Sequence, residues 1–386
     1  NGTGTVNVSA APNGRFGINS MSFANSNYRF KDVVRNVTAE LSSNFKGKFS
    51  NQLLLTLTNI QSTRVAPGGI FPSIEIFNNN GQNYMFAGTD PFTRNNDVKN
   101  DVFSVTNNLT YYAGKHTITG GVSFENQYVG NMFMPGSASY YAFNSLDDFI
   151  NNRPPAFFSY LYSLVPGRDA IYAAELKVNQ LGLYIQDEFN VNSKLKLTYG
   201  VRVDRVGFPE NPITNPAIDA LQFANSSGVV GNHYKTGEWP KSPLYWSPRV
   251  GFRWDVKGDK SLIVRGGTGI FTGRIPFVFL TNIPQNGQMV QRGEGINNPA
   301  QLANFLFNPN PDFYRNRFTA APGTSVSNNA NLVFVDNNFK FPQIWRTNFA
   351  FDKNFNDGWT LTLEGMYSKD INAVRMRNAN ERPTNT

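Results

Sequence analysis

Leu195-Lys196-Leu197-Thr198-Tyr199-Gly200-Val201-Arg202-Val203-Asp204 alternates without a break. Leu195, Leu197, Tyr199, Val201 and Val203 share one parity; Lys196, Thr198, Gly200, Arg202 and Asp204 share the other. A period of two is that of a strand with one apolar and one polar face. Just upstream, Leu181-Gly182-Leu183-Tyr184-Ile185-Gln186-Asp187-Glu188-Phe189 runs into the short polar turn Asn190-Val191-Asn192-Ser193-Lys194, so the two segments read as a hairpin.

Four further turns of the same kind punctuate the chain: Phe45-Lys46-Gly47-Lys48, Ala113-Gly114-Lys115-His116, Lys257-Gly258-Asp259-Lys260 and Asn354-Phe355-Asn356-Asp357-Gly358. Alternating segments flank each one. Phe103, Val105, Leu109 and Tyr111 keep apolar parity, with Asn107 as the exception. Val250, Phe252, Trp254 and Val256 oppose Arg249, Gly251, Arg253 and Asp255, and Trp359, Leu361, Leu363, Gly365 and Tyr367 oppose Thr360, Thr362, Glu364 and Met366. The hairpins are expected over about 33–62, 101–132, 177–206, 246–272 and 343–369, with another strand near Phe16 to Phe23. Between them lie four long segments rich in Asn, Pro, Phe and Gly. A transmembrane β-barrel sorts its connections this way, with tight turns on one side and long loops on the other. A soluble sandwich has no reason to do so. The polar parity then looks into a wet lumen and the apolar parity looks at lipid.

Composition fits. Residues of the hydrophobic set make up 40% and the mean hydropathy is −0.38, so no helical span is expected; a barrel shows lipid only every second strand residue. Aromatics reach 14%, which suits interfacial girdles. With no cysteine, a disulfide scaffold and a thiolate metal site are excluded. The net charge of +8 is scattered through turns and polar faces, so no nucleic-acid partner is expected, and a cationic lumen favouring anionic solutes is one reading of it. The start lacks a signal peptide and the end lacks an aromatic closing strand. Residues 1–386 are therefore expected to be part of a single barrel domain of roughly eleven or twelve strands, without plug or closing strands.

Motifs for chemistry are sparse, and neither an enzymatic role, a metal site nor a cofactor is expected. His116 reads as a solvated turn residue and His233 as a loop residue, and neither lies near a nucleophile elbow. Gly266, Gly267 and Gly269 lie inside a strand pattern and lack phosphate-loop spacing; close packing is the better reading. Asp97 and Asp101, among Asn95, Asn96 and Asn100, read as a solvated strand entrance rather than a Ca²⁺ loop. Two sets remain as site candidates. Arg202, Asp204, Arg249, Arg253, Asp255 and Arg265 are expected to line the lumen, as a charge network or as an anion-binding wall. The loop aromatics Phe157, Phe158, Tyr160, Tyr162, Phe305, Phe307, Phe313 and Tyr314, with Phe277 and Phe279, are expected either to stack on a ligand or to pack loops together.

The segment Leu181 to Phe189 with Leu195 to Asp204 resembles a mid-barrel hairpin of TonB-dependent outer-membrane receptors. Ser247-Pro248-Arg249-Val250-Gly251-Phe252 with Val264-Arg265-Gly266-Gly267-Thr268-Gly269-Ile270-Phe271 resembles the next one, and Phe143-Asn144-Ser145-Leu146-Asp147-Asp148-Phe149 and Pro342-Gln343-Ile344-Trp345 are similar to the Oar-like branch. The resemblance covers most of residues 33–370. It implies roughly half of a 22-stranded barrel in a Gram-negative outer membrane, with a plugged lumen. It also implies ligand uptake powered through the TonB complex by way of the plug, with outer-membrane lipid as surroundings. Two other classes share the pattern: a barrel serving as adhesin or as scaffold for surface lipoproteins or secretion machinery, and a soluble all-β binding protein.

Overall fold

The computed structural model describes residues 18, 20–78, 80–224, 227–327, 330–355 and 357–379. Phe16, and Asn356 of the last turn, lie outside the described residues. Ten strands form one large sheet: β1 (Arg29–Phe45), β2 (Phe49–Val65), β3 (Asn96–Ala113), β4 (His116–Phe133), β5 (Ala174–Asn190), β6 (Leu195–Gly207), β7 (Leu244–Asp255), β8 (Leu262–Thr272), β9 (Gln343–Asn354) and β10 (Thr360–Asn372). Each pairs antiparallel with its neighbour in sequence, a ten-strand meander with β1 and β10 at its two edges. All five expected hairpins are present and the five tight turns join them. Among the described residues the wall holds ten strands, against the expected eleven or twelve, and the short strands lie elsewhere. Of the strand expected near Phe16 to Phe23, the described residues include the two-residue strand Met21–Ser22.

The turns show why the hairpins close. Lys46 and Gly47 both have positive φ (51° and 69°), and Lys48 N–H donates to the Phe45 carbonyl at 3.1 Å. Gly114 carries φ of 62° at the first position of the two-residue turn between β3 and β4. Such backbone values match the right-handed twist of the flanking strands.

Register puts the apolar parity on one continuous face. Leu57 pairs with Phe103, Leu55 with Val105, Leu183 with Val122 and Val203, and Ile185 with Val201. Leu57, Leu183, Ile185, Val250 and Leu363 are all half or more exposed in the isolated chain (56, 53, 54, 50 and 59%), as a lipid-facing surface is when lipid is left out. On β2 the mainly apolar row from Phe49 to Leu57, interrupted by Asn51, covers about 26 Å along the strand at ~3.3 Å per residue, close to the ~25 Å apolar band of an outer-membrane barrel. Beyond it the same parity turns polar: Asn59, Gln61 and Thr63 on β2, Asp101, Lys99 and Asp97 on β3, Asn179, Lys177 and Glu175 on β5. With 17 or 18 residues, β1 to β5 are far longer than the ~9–11 that a bilayer needs, and their upper halves stand above it.

Asn107, the exception on the apolar parity, is resolved by its neighbour. Its side chain and that of Asn51, on the same face of β2, exchange amide hydrogen bonds at 3.0 and 3.1 Å. Each thereby satisfies the other where water is absent. At the turn end of the same face, Phe49 stacks on Tyr111 (4.7 Å). His116 opens β4 beside the turn with its side chain 38% exposed, and it also has partners: it stacks on Phe189 at 4.2 Å and its Nδ1 lies 2.7 Å from Asp187 Oδ2, which also accepts from the Tyr199 hydroxyl at 2.7 Å. These are interfacial positions, where rings with one polar edge belong. Among the described residues no helix is long and apolar enough to cross a membrane.

The long connections are not independent loops. Short strands from the segment before β1 and from three of the four connections assemble a second, six-stranded mixed sheet, in the order Met21–Ser22, Asn83–Ala87, Ser73–Phe77, Tyr140–Phe143, Phe157–Ser163, Gln291–Ile296. This cap sits on the open side of the wall, opposite the tight turns. The helix α1 (Val278–Asn286) packs into the mouth: Leu280 and Ile283 join a core with Val129 of β4, Leu176 and Val178 of β5, Val206 of β6 and Tyr245 of β7. Those wall residues all lie on the polar parity, so the polar face is the lumen face and becomes apolar only where the helix covers it.

Candidate functional site

Two constructions face one another, a charged lumen wall and the aromatic-cored cap above it. In the wall, Arg202 places Nε and an Nη on the Asp204 carboxylate at 2.8–3.0 Å and donates to Ser123 Oγ at 2.9 Å. Its guanidinium lies 5.2 Å from the centre of the Tyr184 ring. Both long side chains lie over glycine: a Cβ on Gly182 would strike Arg202, and one on Gly121 would strike the Tyr184 ring. Glycine at these two positions lets the two long side chains lie flat against the wall. Arg265 donates to Asp352 at 3.0 Å and lies 3.4 Å from Glu364. Lys196 pairs with Glu188 on the neighbouring strand.

Arg249 and Arg253 also stand on the lumen face, exposed to it and without an ion pair among the described residues. Asp255 differs from the other five. It is 6% exposed and accepts from the backbone N–H of Gly258 (2.8 Å) and Lys260 (3.0 Å), so it holds the tight turn and does not present a carboxylate to the lumen. The Gly266, Gly267 and Gly269 run lies flat within β8; a Cβ at Gly267 would meet the Val250 carbonyl at 3.0 Å.

In the cap, the strand Phe157–Ser163 alternates between two interiors. Phe158, Tyr160 and Tyr162 enter one core with Ile74, Ile76, Tyr141, Phe143, Leu302, Phe305 and Tyr314, while Phe157 packs against a second with Phe77, Phe86 and Tyr140. Phe158 is fully buried, stacked on Phe305 at 4.8 Å and edge-on to Tyr141 at 4.9 Å. Phe307 packs against Tyr141 and Phe149 (5.5 and 5.2 Å). Of the eight sequence-selected aromatics only Phe313 stands out, 54% exposed beside Tyr314. Phe277 is partly buried against the mouth helix core and Phe279 is exposed.

One constellation had no signal in the sequence. Arg94, just before β3, forms a two-pronged pair with Asp312 of the fourth connection, 2.8 Å on each arm and 218 residues away. Tyr160 donates to the same carboxylate at 2.8 Å and Arg94 also donates to the Ser137 carbonyl at 3.0 Å. Burial pushes the Asp312 carboxyl up, but the hydrogen bond and charge of Arg94 outweigh it and hold the group below the usual carboxylate range. Burial, then the Asp312 contact, push the Tyr160 phenol well above its ordinary value. The clasp pins the fourth connection to the cap sheet. Asn215, fully buried, adds another tie: its Nδ2 donates to the Gly287 carbonyl at 2.8 Å. The strand entrance at β3 is built rather than solvated. Asp97 is 7% exposed and accepts from Gln61, Thr63 and Tyr172; Asp101 accepts from Asn59.

Sorted connections, a lipid-facing parity and a polar inner face define the wall of a transmembrane β-barrel. Residues 12–386 match the family model described as an outer membrane beta barrel domain, and the chain belongs to that family. It is an outer-membrane protein whose barrel is only partly built by these strands. No curated protein matches the sequence. Among solved structures, it is similar to the outer membrane transporter YddB from Escherichia coli, at 11% identity and a TM-score of 0.50, covering 86% of this chain and 33% of that one. The FrpB iron transporter from Neisseria meningitidis gives 9% identity, a TM-score of 0.44, and 88% and 36% coverage. The ferric enterobactin receptor PfeA, as a mutant, from Pseudomonas aeruginosa gives 10%, 0.43, and 88% and 34%. At 11% identity the likeness to the first of these concerns the fold alone. The chain spans about a third of the length of these structures.

Proposed function

We propose that this chain is the central wall and surface cap of a TonB-dependent receptor that takes up a ligand across the outer membrane. The observation that carries the proposal is the pairing of two features. A polar, charged lumen wall supplies a path, and a cap with its own aromatic core stands in front of it. A passive pore needs no such cap, whereas a receptor must hold a shaped recognition surface above its passage. In this reading residues 1–386 are part of one barrel domain, and a plug that contacts the TonB complex belongs to the rest of the receptor. The Ser247 to Phe252 and Phe143 to Phe149 segments support membership in the Oar-like branch.

Ligand contact falls to the cap. Phe313 offers an exposed ring, and Phe157, Phe158, Tyr160, Tyr162, Phe305, Phe307 and Tyr314 hold the surface rigid beneath it. Arg202, Arg249, Arg253 and Arg265 line the path below. The test is growth on a limiting nutrient that requires this protein. Loss of TonB should abolish that growth while surface binding of the nutrient persists. Growth unaffected by TonB would instead favour a scaffold that holds a surface lipoprotein.

A further inference from the structure

We propose that Arg249 is the charge-reading residue of a lumen site for a small polyhydroxylated carboxylate. The site is a cavity of about 620 Å³ whose lining includes Ser42, Gln52, Asn108, Thr119, Tyr184, Gln186 and Arg249 on the lumen parity, with Ser43 and Asn51 of the opposite parity at its border. Its size falls within the range of small-molecule pockets. The lumen-parity side chains belong to β1 to β5 or β7, and apart from Arg249 all carry hydroxyl or amide groups. Hydroxyls and amides are suited to a ligand rich in hydroxyls. The guanidinium is suited to an anion, best to one with two oxygens in a plane.

The wall gives Arg249 room to reach the far side. Its two cross-strand neighbours on the lumen face are both glycine, Gly200 on β6 and Gly269 on β8. At Gly269 a Cβ would come within 2.9 Å of the Arg249 Cβ. With no side chain on either flank, the arginine leans across the curved sheet toward β1 and β2 and shares a cavity with Ser42 and Gln52.

The wall also withholds a counter-ion. Neighbouring lumen carboxylates are engaged elsewhere: Glu188 by Lys196, Asp204 by Arg202, Asp352 and Glu364 by Arg265, Glu125 by Arg274. Glu40 accepts from Gln52 at 2.8 Å and from Ser42 at 3.0 Å, which uses the one Ser42 hydroxyl proton, so that Ser42 can only accept from a ligand while Gln52 keeps its second amide N–H to donate. Among the described residues the Arg249 guanidinium makes neither a hydrogen bond nor an ion pair, and only its backbone is paired, to β6 and β8. Glu40 is held on the far side by Ser42 and Gln52 and makes no ion pair with Arg249, and a guanidinium that faces a polar cavity without a carboxylate against it is completed by an anionic ligand. The site depends on the wall alone, so failure of the uptake reading would leave it standing.

The experiment uses the full-length protein purified from outer membranes, with gluconate as probe and sorbitol as its uncharged counterpart, read by calorimetry. Gluconate should bind, and sorbitol at least tenfold more weakly. Arg249→Gln should weaken gluconate binding roughly tenfold to a hundredfold, the loss expected for one charged hydrogen-bonding pair, and leave sorbitol unchanged. Arg249→Lys should lose less, and Arg35→Gln on the outer face should lose nothing. Thr119→Val, which removes a lining hydroxyl, should weaken gluconate measurably with the charge intact and serves if Arg249→Gln does not fold. Equal binding of gluconate and sorbitol, absence of gluconate binding, or wild-type affinity in Arg249→Gln would each overturn the proposal.

Discussion

The wall and the cap are both β-sheets of the same chain, yet they are built on opposite rules. In the wall each strand pairs with its sequence neighbour, and every strand has one face in lipid and one in water. In the cap, strands come from connections far apart, two of the pairings are parallel (Met21–Ser22 with Asn83–Ala87 and Ser73–Phe77 with Tyr140–Phe143), and strands such as Phe157–Ser163 bury both faces. The wall is solvated on one side by a membrane and needs no thick core of its own. The cap stands in water and must make one.

If the two regions are separate cores, damage to one should spare the other. The largest expected effect is in the cap. Phe158→Ala removes a fully buried ring and should cost the cap about 3–5 kcal/mol. Limited proteolysis should then cut near residues 300–320 while the wall stays resistant; collapse of the wall at the same time would show that the comparison is drawn wrongly. Next is the lipid face. Ile185→Arg should cost roughly 2–4 kcal/mol near the bilayer midplane, and Thr198→Arg on the lumen parity close to nothing, measured by folding into lipid vesicles. Smaller is the amide pair in the band. Asn107→Leu alone leaves the Asn51 amide oxygen without its donor, although Asn51 Nδ2 keeps the Asn108 carbonyl, and should cost about 1–3 kcal/mol, and adding Asn51→Leu should restore most of it. A double variant worse than the single would deny that the two side chains satisfy each other.

The smallest effect concerns the clasp, since Asp312 is partly exposed. Arg94→Gln should cost about 1 kcal/mol or less and loosen the fourth connection, seen as faster amide exchange around Asp312. Its pH dependence has a definite sign. The folded Asp312 carboxyl titrates below its unfolded value, so its contribution is complete above the usual carboxylate range and is lost as pH falls through the lowered folded value. Protection of the cap that instead faded between pH 6 and 8 would assign the clasp to another group.

The wall was legible because its information is local. Leu195 to Asp204 carries its own parity, and turns such as Ala113-Gly114-Lys115-His116 fix the register between neighbours. The extent was less so: β1 to β5 run on above the membrane, where the outward row changes from Leu57 to Asn59 and Gln61 without any break in alternation. The cap was hidden for a physical reason. Its aromatics were visible, but a segment such as Phe157 to Tyr162 that packs on both faces has no period to read, and its partners at Tyr140–Phe143 and Gln291–Ile296 are set by tertiary contact. The Arg94 to Asp312 clasp is hidden in the same way. Arg249 was visible as a lumen residue, whereas the lack of a partner for it depends on where five carboxylates point.

The central claim is that the wall crosses the outer membrane with tight turns inside and the cap outside. Residues 1–386 contain no cysteine, so within this stretch a single introduced cysteine reports its own position, with the unmodified protein as the reference. Asn304→Cys lies exposed on the cap connection and Asp259→Cys on the tight turn between β7 and β8. A membrane-impermeant maleimide on intact cells should label the first and reach the second only after the outer membrane is permeabilised. Labelling of Asp259→Cys on intact cells, with Asn304→Cys protected, would contradict the account.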